Sequence, residues 1–395
     1  MLIKIYLAII SIKAWLSVWR RSPIDAKRLW SELFKKWKEN KKEDLSKVFW
    51  KQLIIPSYRL KKSISLGRNS PSVYRKFAPL LSEAVKAEET DQQLNQKLPS
   101  YLVMRNGAMG DVMMMTPAIR NLYEVHDGNI NIDVATYFPK IFDNSPYVRN
   151  TLNPKGLSQG VHNYDCVIDL NGVYERCPTE HPVDVYMRFS VGKKNGSRSL
   201  DLFPTVSDQD FIKQVIHGIN SRYVVVHQFH HAWPNRNIST HIWDKITSEI
   251  VDKLKLKVIY VGTGVESYAK VEDGYEDHRN RYSIQQLSLL ISQSVGFIGA
   301  DSGPAHIAAT TNVPICGFYT CAHHEVRMPL REHGRFLPLF PELECYGCLA
   351  RHPMKITTYY CQRGDNACTL DRYFGNVAQK VVSFLSAEMD LLKMH

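Results

Sequence analysis

A chain of 395 residues, 44% hydrophobic and 23% charged, has the composition of an ordinary globular protein and room for two domains plus an extension. Its net charge of +11 does not describe the whole chain. Residues 1–98 hold 21 of the 50 Lys/Arg but only 9 of the 39 Asp/Glu, so the remainder is close to neutral and a uniformly basic core is excluded.

Residues 1–98 are expected to form a basic, aromatic helical extension. Lys4 and Lys13 interrupt its apolar opening and Arg20-Arg21 follow, which argues against a spanning helix (about 20 apolar residues) and against a cleavable secretory signal. Residues 20–62 then carry 14 basic and 5 acidic side chains interleaved with Trp30, Phe34, Trp37, Phe49 and Trp50. Helices of this kind lie in a membrane interface, rings at headgroup depth and cations on phosphates. The competing reading is packing on the body of the protein or on another subunit. Nucleic acid is not expected. The expectation is a cytoplasmic protein, peripheral on the inner membrane surface through residues 1–62.

From residue 99 the pattern becomes α/β. Short apolar strands are expected at 101–105, 130–136, 166–170, 223–227, 257–262, 296–299 and 314–319, with helices at 111–125, 241–254 and 284–294 among them. Alternation of this kind argues for parallel sheets covered on both faces. Polar residues and Pro204 in 199–210 suggest a break, giving domains at 99–205 and 206–370 and a closing helix within 371–395.

Four stretches follow strands and suit a ligand. Asn106, Gly107, Gly110 and Asp111 form a glycine turn that enters a helix, where backbone can approach a ligand and Asp111 can cap the helix, take a proton, or both. The loop after 223–227 holds His227, His230, His231 and Arg236. No further metal ligand stands at suitable spacing there, while a guanidinium in a cleft suits a diphosphate. Gly262, Thr263 and Glu266 follow the next strand, and Glu266 could accept from ribose hydroxyls. Asp301, Ser302 and Gly303, with Pro304 and His306 in a helix's first turn, offer N–H groups to an anion and a carboxylate to the sugar beside it.

Eight cysteines are present. Cys166, Cys177, Cys316 and Cys321 stand singly and are expected to be inert core thiols. Cys345-x2-Cys348-x12-Cys361-x6-Cys368 reads as a closed four-thiolate site for structural zinc or iron in a reducing compartment, clipping a loop against the sheet.

Asn106–Asp111 with Thr116-Pro117-Ala118, and Asp301–His306 with Ala308-Ala309 and Val313-Pro314, resemble the two signatures of glycosyltransferase family 9, the ADP-heptose:lipopolysaccharide heptosyltransferases. The run 181–202 is similar to that family's middle segment, and the resemblance covers about 99–385. It implies a GT-B fold of two Rossmann-like domains facing a cleft, and inverting transfer that needs no catalytic metal. The donor, an ADP-sugar by this resemblance, would lie on the C-terminal domain and the saccharide or glycolipid acceptor on the N-terminal one. Asp111 would be the general base, Asp301 a donor-sugar contact, and Ser302 and Gly303 diphosphate contacts. Arg236 stands where the family usually has Lys, and Glu266 matches an acidic residue that some members use on the nucleoside. A branch that glycosylates autotransporter proteins binds iron through a similar cysteine tail and forms large rings, which leaves a protein acceptor and an oligomer open. A non-catalytic nucleotide-sugar-binding protein is the alternative from a different class.

Overall fold

The computed structural model describes residues 98–395 apart from 156, 158–160, 193–195, 230–232, 264–271, 333, 352–360, 362 and 394–395. The expected extension, its membrane contact and the roles of His230, His231 and Glu266 therefore lie outside the described residues. Residues 97–395 form one compact unit.

Two wholly parallel sheets organise that unit. The first has the order β3-β2-β1-β4, from β1 (Ser100–Met104), β2 (Asn131–Ala135), β3 (Asn150–Leu152) and β4 (Cys166–Asp169). Its register runs Ser100 opposite Asn131 and Tyr101 opposite Cys166. The second has the order β10-β9-β8-β5-β6-β7, from β5 (Tyr223–His227), β6 (Lys257–Tyr260), β7 (Tyr275–Asp277), β8 (Phe297–Ala300), β9 (Ile315–Phe318) and β10 (Phe336–Leu339). Central strands β5, β8 and β9 are buried at every residue, as continuous apolar runs covered on both faces should be.

Helices cover these sheets: α1 (Met109–Met113), α2 (Thr116–Val125), α3 (Pro182–Val191), α4 (Val206–Ile219), α5 (Thr240–Glu249), α6 (Ile284–Ser292), α7 (Gly303–Ala308), α8 (His324–Arg327), α9 (Cys348–Arg351) and α10 (Val377–Lys393). The helix expected over 111–125 is two helices, and Pro117 stands in the first turn of the second, where its missing N–H costs nothing. The helix expected over 241–254 keeps α-geometry to Glu249 and ends in a π turn, Ile250–Leu254, with Lys255 left-handed. The closing helix starts at Val377, since Asp371–Tyr373 forms a separate 3-10 turn.

Strands of both sheets share one apolar core, in which Val103, Val134 and Met115 belong with Val225, Phe297 and Ile315. A second cluster under β5, β8 and β9 joins Trp243 of α5, Phe374 and Val381 of α10. The turn that leaves β1 and the turn that leaves β8 are thus held at the same end of one packed body, the carboxyl ends of parallel strands where such sheets bind ligands.

Candidate active site

The helix starts before Asp111, with Ala108 as its N-cap; Asp111 is the third residue of α1, not the N-cap expected, and its Oδ2 accepts the Ala108 N–H at 3.1 Å, half of a capping box. The same carboxylate pairs with Arg105 Nη2 at 2.9 Å and accepts the Tyr174 hydroxyl on Oδ1 at 2.9 Å. Arg105, at the end of β1, also pairs with Glu175 at 2.8 Å. Burial would raise the Asp111 pKa, yet Arg105, Arg327 and the Tyr174 hydroxyl together pull it below the usual carboxylate value. Asp111 is therefore ionised and strongly held. Gly107 is required beside it: a Cβ there would fall 2.4 Å from Asp111 Oδ2 and 2.7 Å from Arg105 Nε. The exposed Asn106 is fixed through its backbone N–H, which donates to Asn171 Oδ1 at 2.7 Å.

The facing turn begins with Asp301, buried after β8. Arg236 Nη1 donates to the Asp301 carbonyl at 3.1 Å and lies 3.3 Å from its Oδ2, with the guanidinium 4.7 Å from the Trp233 ring. Burial works against the Arg236 charge, but Asp301 and the Cys321 thiol together outweigh it and the pKa is raised. Ser302 Oγ donates to the Ala300 carbonyl at 3.1 Å and lies 3.1 Å from His227 Nδ1. Its N–H and that of Gly303 stand at the start of α7, a helix of only six residues, so the guanidinium is the stronger anion-attracting group here. His306 is buried, and that burial lowers its pKa to about 4, so it is neutral at pH 7.

The two turns meet. A Cβ on Gly110 would come 2.9 Å from the His306 ring, and one on Gly303 would come 2.1 Å from Met109 Cε. Beside this contact opens a cavity of about 340 Å³, large enough for part of a nucleotide. Ala108, Met109 and Gly110 wall one side, and His227, Gly262, Thr263, Ser302 and Gly303 the other. Asp111, Arg236, Asp301 and His306 are not among the residues that line the cavity; they neighbour lining residues in the chain or by contact. Gly262 takes φ +134°, a conformation that favours glycine.

Several residues of this site carry no local signal in the sequence. Arg105, Tyr174 and Glu175 hold Asp111 from positions where nothing flanks them but ordinary chain. Arg327, at the end of α8, reaches across from the C-terminal half and lies 4.6 Å from the Tyr174 ring. His278, Asn280, Arg281 and Tyr282 complete the cavity beyond β7.

The four expected thiolate ligands are gathered in one region. Cys348 is pushed up to about 11 by burial and by the thiols of Cys321, Cys345 and Cys361. Cys368 is pushed up to about 12 by burial and by Cys321, Cys361, Cys348 and Cys345. Cys321 thus belongs to the group and is not the isolated core thiol expected. Four thiols suit zinc or iron in donor chemistry. Among the described residues, no three His, Cys, Asp or Glu side chains are placed to hold a metal ion. What the segment visibly does is brace the arginine loop. Gly347 N–H donates to the Thr320 carbonyl at 3.1 Å, and Thr320 Oγ1 donates to the Asn235 carbonyl at 2.6 Å. Ser239 N–H, on the far side of Arg236, donates to Thr369 at 2.9 Å.

Residues 280–352 match the family model of glycosyltransferase family 9 (heptosyltransferase). This segment contains the Asp301–His306 turn, α8 with Arg327, and Cys345 and Cys348, so the resemblance to family 9 read from the sequence is borne out there. Among solved structures, ADP-heptose lipopolysaccharide heptosyltransferase II of E. coli is similar over 74% of this chain and 99% of its own, at 13% identity and a TM-score of 0.55. TibC of enterotoxigenic E. coli, an iron-containing dodecameric glycosyltransferase, is similar over 74% of this chain and 77% of its own, at 16% identity and a TM-score of 0.55. At these identities the likeness shows the fold, two parallel α/β sheets as in the family 9 enzymes. No curated protein matches.

Proposed function

We propose that this protein is an inverting glycosyltransferase that moves a sugar, a heptose by its likeness to family 9, from a nucleotide-sugar donor to a saccharide hydroxyl of the lipopolysaccharide type. The observation that carries the proposal is the meeting of the Asn106–Asp111 and Asp301–His306 turns beside one cavity, with an ionised carboxylate on one side and a buried guanidinium on the other.

In this scheme the acceptor oxygen attacks the anomeric carbon from the face opposite the diphosphate, and its proton passes to Asp111. The bond to the diphosphate oxygen breaks with its electron pair, and the leaving group departs as the nucleoside diphosphate. Arg236, with the Ser302 and Gly303 N–H groups, offsets the charge that grows on it, an electrostatic contribution that preorganised donors supply without reorganisation. Gly262 and Thr263 line the nucleoside end of the cavity. An ADP-sugar is the donor we favour, since a solved TibC complex contains ADP-D-β-D-heptose. No step requires a metal.

A protein acceptor is the second reading, favoured by the gathered cysteines and by the likeness to iron-containing TibC. Heptose-free lipopolysaccharide and a purified autotransporter passenger, each incubated with ADP-heptose and full-length protein, separate the two: the acceptor that gains mass decides, and gain by neither sinks both. The four cysteines we carry as a structural metal site of zinc or iron that would stiffen the brace on the arginine loop. Metal analysis of wild type and Cys345→Ser tests it, and absence of bound metal from both ends the idea. Membrane attachment through residues 1–62 is tested by co-sedimentation with anionic vesicles of full-length protein against a chain starting at Pro99; equal binding would remove it.

A further inference from the structure

We propose that Arg327 is a positioning residue that grips Asp111 through Tyr174 until a diphosphate in the donor site draws it off. The inference deepens the transferase reading and rests on it for the role of Asp111.

The Tyr174 ring lies between two guanidiniums, Arg105 Cζ 5.0 Å and Arg327 Cζ 4.6 Å from its centroid. Its hydroxyl donates to Asp111 Oδ1 at 2.9 Å. The two arginines differ in what they can do next. Arg105 is buried and paired on its own half of the unit with both Asp111 and Glu175. Arg327 comes from α8 on the other half, is partly exposed, and also walls a small hollow with Tyr174, Glu175 and His323. Its charge is felt by Asp111, by Asp301 and by Arg236. It is therefore within electrostatic reach of both the carboxylate expected to take the proton and the pair expected to meet the donor.

The groups facing Asp111 are Arg105 from β1, Tyr174 and Glu175 from the turn after β4, Tyr186 from α3, His306 from α7 and Arg327 from α8. His306 is held neutral by burial, so the cations acting on Asp111 are Arg105 and Arg327. A diphosphate seated on Arg236 brings like charge toward Asp111 and attracts Arg327. Both effects raise the proton affinity of Asp111. The base is thereby a poor acceptor before the donor arrives and a better one once it is bound. By linkage, diphosphate binding takes up a proton in the pH window between the two Asp111 pKa values, and affinity rises as pH falls through it.

Calorimetric titration of full-length protein at a series of pH values from neutral down to the onset of acid unfolding, in two buffers of different ionisation heat, reads this uptake without any acceptor. ADP is the probe, with inorganic pyrophosphate as a second. Protons released by the probe itself cancel in the difference between wild type and Asp111→Asn. We expect wild type to take up more protons than Asp111→Asn, the difference to shrink to the part that the diphosphate charge alone supplies in the Arg327→Gln background, and Arg327→Lys to restore it. Equal uptake by wild type and Asp111→Asn overturns the proposal, even if Arg327→Gln does not fold. A difference that is undiminished in folded Arg327→Gln overturns it as well. In either case a wild type that still transfers sugar leaves the transferase reading standing. Failure of both probes to bind overturns the inference together with the donor site.

Discussion

Asp111 is the residue on which the site turns, and its surroundings decide how it behaves. It accepts the Ala108 N–H in the first turn of α1, pairs with Arg105 and accepts from Tyr174, so one carboxylate ties the start of α1 to two neighbouring segments. Its lowered pKa has a definite sign. The stability it contributes is fully present above the unfolded carboxylate value, about 3.9, and is lost as pH falls through the lower folded value. Arg105→Met should remove most of this depression, and the midpoint of acid unfolding should move to higher pH; an unmoved midpoint would contradict the pairing. Gly107→Ala should disturb the carboxylate more than any other alanine in the loop, because its Cβ meets Asp111 and Arg105 at 2.4 and 2.7 Å. Overpacking of this kind costs about 1–3 kcal/mol, read as a lowered melting temperature accompanied by loss of transfer.

At the scale of elements, the contact of α1 with α7 is what makes one site from two sheets. Gly110 lets α1 approach the His306 ring, which is part of a buried helix and has little room to retreat, whereas the closest atom to Gly303 is the flexible Met109 Cε, with the Met109 Cβ 3.3 Å away. Gly110→Ala should therefore lower stability and activity together, while Gly303→Ala should be absorbed by Met109; equal effects would show that the packing is not as described. The second element-level feature is the brace from the cysteine segment through Thr320 to Asn235, the residue before Arg236. Thr320→Val removes the short hydroxyl donor of the buried Asn235 carbonyl and leaves it the long Cys368 thiol contact at 3.9 Å, a loss of about 1 kcal/mol. It should raise KM for the donor more than KM for the acceptor. Equal changes in both would reduce the brace to a general stabilising contact.

For the whole molecule, legibility in the sequence followed apolar patterning, which the edge strand β4 keeps although none of its residues is buried. Strands β1, β2, β4, β5, β6, β8 and β9 were readable as apolar runs with turn residues after them. β3, β7 and β10 are edge or near-edge strands, and β3 exposes two of its three residues, so no apolar pattern marks it. The glycine turns around Asp111 and Asp301 were legible because close backbone approach leaves small residues in the chain. Arg105, Tyr174 and Arg327 were not, because their importance arises only when segments some 70 to 220 positions apart are packed together. Cys321 was misjudged for the same reason: its thiol neighbours come from residues 345–368. The central claim is that this packed arrangement is a glycosyl-transfer site with Asp111 as its base. Its most direct test follows transfer from ADP-heptose to heptose-free lipopolysaccharide or the autotransporter passenger by mass, wild type beside Asp111→Asn. The account predicts one added heptose with release of ADP in wild type, and a rate lower by about 10²–10⁴-fold in the variant with ADP binding retained. Transfer at an undiminished rate by Asp111→Asn would contradict it.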